Sequence, residues 1–171
     1  DEKKTAFEMG LCGLKRLHAS GLMGHANSFA RRLLRWDDEC EHLDAKDKGE
    51  LLLLASIAAE HAGQGNEAEQ YAKSATELAR DEDMDALGAR AAGRLGVLKL
   101  QHDAPDEAEQ WLWDALRFAR SSGDPQALAD VNLSLGYFYQ RRDKWDLSST
   151  AYQVSLEIAS ENQMIPTELS A

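Results

Sequence analysis

Ala-Arg-Ala-Ala-Gly-Arg-Leu-Gly-Val-Leu-Lys-Leu-Gln-His-Asp-Ala-Pro-Asp-Glu-Ala-Glu-Gln-Trp-Leu-Trp-Asp-Ala-Leu-Arg-Phe-Ala-Arg, residues Ala89 to Arg120, reads as two antiparallel helices joined by a tight turn. In its second half Ala108, Trp111, Leu112, Ala115, Leu116 and Ala119 recur at the three- and four-residue spacing of one helical face. Pro105 stands where that helix should begin, because proline's missing N–H costs nothing in a first turn.

The same plan returns 40 residues to either side. Gly96 aligns with Ser56 and Gly136, and Ala108 with Ala68 and Ser148. Ala115 aligns with Ala75 and Ser155, Ala119 with Ala79 and Ala159, and the large apolar Phe118 with Leu78 and Ile158. Self-similarity at such a period marks a repeat architecture. Small residues in register imply helices that cross closely, where overfilling costs about 1–3 kcal/mol. The copies span about 49–82, 89–122 and 129–162, with a degenerate one over 7–40. In that copy Leu11, Leu14 and Leu17 line one helix, and Met23, Ala26, Ala30, Leu33 and Leu34 line the next. Ala26 lies 42 residues before Ala68, and Gly13 meets the small column only with a one-residue slip.

Punctuation agrees. Asp44 is placed to cap a helix over about 48–62 whose Leu-Leu-Leu-Leu-Ala-Ser-Ile-Ala-Ala centre is apolar nearly all round, hence buried on most sides. Gly63 ends it, and Asn66 with Glu69 is read as the cap of a helix running to Arg80. Residues 81–85 form an acidic loop before helices at about 84–101 and 105–121. Gly123-Asp124-Pro125 combines a stop, a cap and a start, leading to helices at about 126–141 and 144–161. Pro166 is placed to open a further helix within 163–171, and more sequence is expected in the parent protein, as is also suggested by Asp1 in place of Met. The expected fold is all-α, a right-handed α-solenoid of stacked antiparallel helix hairpins forming one array over 1–171.

These hairpins resemble tetratricopeptide (TPR) repeats. The third copy has Leu135-Gly136, Tyr139 and Tyr152, with Ser148 and Ser155 where alanine is usual; the second has Leu95-Gly96, Ala108 and Ala115, with Lys99 and Leu112 in place of aromatics. The first has Ala55-Ser56, Ala68 and Ala75 and also lacks the aromatics. The spacing, and Phe118–Tyr139 in particular, is similar to the long subclass found in large bacterial transcription activators, response-regulating phosphatases and spindle-orientation adaptors. The resemblance implies peptide or protein binding within a larger regulatory or adaptor protein, and no enzymatic reaction.

The 171 residues suffice for one domain with a core, and 43% hydrophobic with 29% charged residues is ordinary for a soluble chain. A net charge of −11 argues against a sequence-independent grip on nucleic acid and against anionic membranes. No run approaches the ~18 apolar residues of a membrane span. Cys12 and Cys40 read as free thiols in a reducing compartment, so a cytoplasmic location is expected.

Chemical motifs fail on context. Gly63-Gln64-Gly65-Asn66-Glu67-Ala68 lacks the preceding strand of a dinucleotide site. Asp81-x-Asp83-x-Asp85 lacks the glycine and glutamate of a calcium loop. His18, His25, His42, His61 and His102 have no ligand spacing, and Asn132-Leu133-Ser134 is a sequon inside a helix. No catalytic residue, metal site or cofactor is expected.

A binding groove is expected on the first helices of the hairpins. At 100° per residue Leu128, Val131, Leu135 and Tyr139 face the core, while Asp130, Leu133, Tyr137 and Gln140 face away. The 40-residue step adds Arg90, Gly93, Val97 and Leu100, and Glu50, Leu53, Ile57 and Glu60; flanking columns add Leu54, Arg94 and Ser134, and His61, Gln101 and Arg141. Glu50, Arg90 and Asp130 read as a structural ladder of charges more than a clamp. Arg94 has no acid in its column, so it is the first candidate to hold a partner's carboxylate, with Tyr137 and Arg141 beside it. Trp113, off the core face, suggests a second contact surface; a homo-oligomeric scaffold without peptide ligand is the alternative function.

Overall fold

The computed structural model describes residues 2–40 and 43–162, with side chains from 5 to 37 and from 43 to 162. Pro166, His42 and the Cys40 side chain lie outside the described set. Eight helices are described: α1 (Glu2–Ala19), α2 (Met23–Cys40), α3 (Ala45–His61), α4 (Gly65–Asp81), α5 (Asp85–Gln101), α6 (Pro105–Ser122), α7 (Pro125–Arg141) and α8 (Trp145–Glu161). The fold is all-α, built of stacked antiparallel hairpins in the TPR-like manner.

From α3 onward the helices begin at 45, 65, 85, 105, 125 and 145, a period of 20 residues. The turns explain it. Gly63, Asp83, Asp103, Gly123 and Asp143 all adopt positive φ, between 52° and 74°. Glycine enters that region without penalty, and aspartate tolerates it better than most residues. The residue after the left-handed one closes the helix end: Gln64 N donates to Ala59 O, Met84 N to Ala79 O, Ala104 N to Lys99 O and Lys144 N to Tyr139 O, at 2.8–3.0 Å. These six-to-one bonds satisfy carbonyls that a helix end leaves open. After Gly123 a different bond appears, Asp124 N to Ser122 Oγ.

The expected caps at Asp44 and Asp124 form: Asp44 Oδ1 accepts from Asp47 N and Asp124 Oδ1 from Gln126 N, each at 2.9 Å. Pro105 and Pro125 open their helices as anticipated. The Asn66–Glu69 cap does not form. Gln64 is the N-cap residue and makes no side-chain cap bond, because the glycine turn starts α4 at Gly65 and leaves Asn66 already helical.

The chain divides into two compact units, residues 1–87 and 88–171. In the first, Phe7, Leu11 and Leu14 of α1, Ala26, Ala30 and Leu33 of α2 and Leu51, Ala55 and Ala58 of α3 form the core, with Tyr71 of α4 packed on it. Leu51, Leu52, Leu53, Ala55, Ser56, Ala58 and Ala59 are buried on α3, as its all-round apolarity demands. The degenerate copy is a true hairpin, but its small column is corrected. Helix ends 19 and 61, and starts 23 and 65, fix the step at 42, which sets Leu14, fully buried, at the Ser56 position. A Cβ on Gly13 would meet only Phe29 at 3.5 Å, ordinary contact rather than a close crossing.

In the second unit Ala89, Ala92, Leu100, Ala108, Leu112, Ala115, Leu116, Phe118, Val131, Leu135 and Phe138 are buried together. Position equivalence holds where helices cross: Ser56, Gly96 and Gly136 are buried, as are Ala68, Ala108 and Ser148. It loosens along α8, where Ser155, Ile158 and Ala159 are half-buried.

Candidate functional site

In the second unit α5 and α7 lie side by side. A Cβ on Gly93 of α5 would meet Val131 Cγ2 at 3.9 Å and Ser134 Oγ at 4.0 Å on α7. Since Val131 and Leu135 turn into the core, the 100° step sends Leu133, Ser134 and Tyr137 to other sides of α7. Leu133 is 55% exposed, a large apolar side chain open to solvent. Tyr137 is half-buried, its ring packed against the core cluster, which leaves a rigid aromatic partly presented. Ser134 is half-buried and its hydroxyl donates to Asp130 O at 3.0 Å. Arg141 and Gln101 are exposed at the helix ends, and Val97 is half-buried.

Asp130 is the electrostatic feature of this face. Burial pushes its carboxyl above the usual carboxylate range, against the bond from Gln126 and the attraction of Arg90. Gln126 Nε2 donates to Asp130 Oδ1 at 2.8 Å. The charge of Arg90 draws the Asp130 carboxyl down, while Glu50 in the first unit pairs with Lys15 of α1.

The predicted residues do not all open to solvent. Leu53, Gly93 and Leu100 are buried, because the apolar stripes of α3 and α5 are wider than one face. Arg94 is half-buried and engaged by another group within the protein, which corrects the expectation of an unpaired guanidinium. A column alignment compares only equivalent helices and is blind to partners at other levels. Leu54 and Ile57, both half-buried, belong to α3 of the first unit. Trp113 is 51% exposed, whereas Trp111 packs against the core.

The sequence reading passed over Arg31 and Arg35, one turn apart in Arg-Arg-Leu-Leu-Arg on α2. Their spacing was the available signal. Among the described residues no cluster of His, Cys, Asp and Glu is arranged to hold a metal ion, and no helix is long and apolar enough to cross a membrane. Cys12 is free and exposed.

No family model matches the chain and no curated protein matches it. Solved structures do. The apo form of RapI superposes with a TM-score of 0.79 at 14% identity, over 95% of this chain and 59% of that one. BtubC (BKLC) from P. vanneervenii superposes with a TM-score of 0.68 at 15% identity, over 94% of this chain and 73% of that one. At such identities the likeness establishes the TPR-like fold. The chain spans little more than half the length of RapI.

Proposed function

We propose that this chain is a protein–protein interaction module, of the long-repeat TPR kind, that holds a peptide or helix of a partner against the α5/α7 face and serves within a larger regulatory or adaptor protein. The observation that carries the reading is the pairing of exposed Leu133 with half-buried Tyr137 on one helix. An open leucine beside an aromatic anchored in the core supplies apolar contact at low entropic cost, and such anchors dominate interface energies. Arg90, Arg141 and Gln101 provide a polar rim, and Val97 continues the apolar strip on α5. Arg94 contributes by exchanging its internal partner for a ligand carboxylate. In the first unit Leu54 and Ile57 play the corresponding part.

The test is capture of partners by wild type compared with Leu133→Asp, Tyr137→Ala and Arg94→Glu, with Lys73→Glu as an exposed control on α4. Loss in the first three and retention in the control supports the reading. Undiminished capture by all three ends the assignment of this face.

A second reading, self-association, is favoured by Trp113 and by Trp145, 51% and 60% exposed. Sedimentation over a range of concentrations separates the two, since a strictly monomeric species rules self-association out.

A further inference from the structure

The first unit carries a cleft of about 810 Å³ between α2, α3 and α4. It opens on the opposite side of α3 from Leu54 and Ile57: at 100° per residue, Lys48 and Leu52 lie about half a turn from them. The walls are chemically mixed. Leu34 of α2, Leu52 of α3 and Leu78 and Tyr71 of α4 make an apolar floor, and Arg31, Arg35 and Lys48 stand over it against one acid, Glu67.

Each cation is held differently. Arg31 Nε donates to Glu67 Oε1 at 3.0 Å and its Nη2 to Gln64 Oε1 at 2.8 Å, with a second guanidinium contact to Glu67 Oε2. The Tyr71 hydroxyl donates to the same carboxylate at 3.0 Å. The Arg31 bond, followed by the Tyr71 bond, holds the Glu67 carboxyl below its usual range. Lys48 Nζ sits 2.9 Å from Asp37, whose side chain is buried. Arg35, exposed and one turn beyond Arg31, has no hydrogen bond or ion pair among the described residues. Among the described side chains, with Glu67 set against Arg31 and Asp37 against Lys48, one positive charge remains, centred on Arg35. That local sign is opposite to the −11 of the whole chain.

We propose that this cleft docks an acidic amphipathic segment of a protein partner, its carboxylates on Arg35 and the rim of Arg31 and its apolar side chains on the Leu34–Leu52–Leu78–Tyr71 floor. The volume falls within the roughly 300–1,000 Å³ usual for ligand pockets. The planar fork of Arg35 matches a carboxylate and is not taken up by Glu67. A polyanion such as nucleic acid fits poorly, because two of the three cations are already answered and the floor is apolar. This surface is independent of the α5/α7 face.

The experiment uses the chain as it stands and fluorescence anisotropy with a short labelled helical peptide of Glu and Leu, beside the same peptide with Gln for every Glu. The Glu peptide is expected to bind, the Gln peptide to bind more weakly, and Arg35→Glu to weaken the Glu peptide by about 10-fold or more. Arg35→Gln should weaken it by less. Arg120→Glu, exposed on α6 and in neither surface, should leave it unchanged. Thermal midpoints and helical content confirm that the variants are folded. Absence of binding by the Glu peptide, equal affinity for the Gln peptide, or undiminished binding to Arg35→Glu overturns the proposal. Equal loss in Arg120→Glu shows a general charge effect rather than a cleft and overturns it too.

Discussion

The Ser148 hydroxyl donates to the Gly136 carbonyl at 2.8 Å, both residues buried where α8 crosses α7. Twelve residues separate them, and the same separation joins Ser56 to Ala68, where Ser56 Oγ donates to Ala68 O at 2.8 Å. The serine stands on the first helix in one hairpin and on the second in the other. In the hairpin between, Gly96 and Ala108 take these positions, and a Cβ on Gly96 would lie 3.1 Å from Ala108 O. A crossing this close accepts a hydroxyl only when it bonds the facing backbone. Ser148→Ala and Ser56→Ala should each lower stability by about 0.5–1.5 kcal/mol, read from urea unfolding midpoints.

Two glycines three residues apart on α5 should behave in opposite ways. A Cβ on Gly96 would meet Leu112 Cγ at 2.7 Å, and Leu112 is fully buried, so Gly96→Ala forces a packed side chain to move. A loss of about 1–3 kcal/mol is expected. Gly93→Ala finds only contacts of 3.7 Å and beyond, so the better helix former should raise stability by up to about 1 kcal/mol. Thermal melts of the two variants check the sign of each.

The Arg31–Glu67 pair should fade in acid. The folded Glu67 carboxyl lies below its ordinary 4.5, so its contribution is complete above that pH and disappears as pH falls through the depressed value. Wild type should therefore unfold at higher urea than Glu67→Gln at neutral pH, with the gap closing toward pH 3. The pair is partly open to solvent, whose screening keeps the gap small.

Asp130 should show the reverse sign. Its folded carboxyl is raised by burial, so the ionised form costs stability above the folded value, and that cost is absent below the ordinary 3.8. Asp130→Asn keeps an oxygen to accept from Gln126, and should melt higher than wild type at neutral pH and equally near pH 3. Parallel melting curves across that range decide it.

Lys99 illustrates how far a column reading carries. Its counterpart 40 residues on is Tyr139, and the alignment records a missing aromatic. In the structure Lys99 Nζ pairs with Glu107 Oε2 at 3.1 Å, so the site is filled by charge instead.

Local sequence carries the hairpin plan: small residues 12 apart in the last three hairpins, Asp44 and Asp124 as caps, and breaks at Gly63, over 81–85 and at Gly123. These signals are local, because capping, left-handed turns and helical stripes depend on residues a few places apart. Tertiary structure alone decided that Leu14 rather than Gly13 fills the first crossing, that Arg94 is engaged within the protein, and that Arg31, Lys48 and Tyr71 share a cleft. Long side chains reach across helices far apart in the chain, and their pairing depends on helix offset and rotamer, which periodicity does not encode.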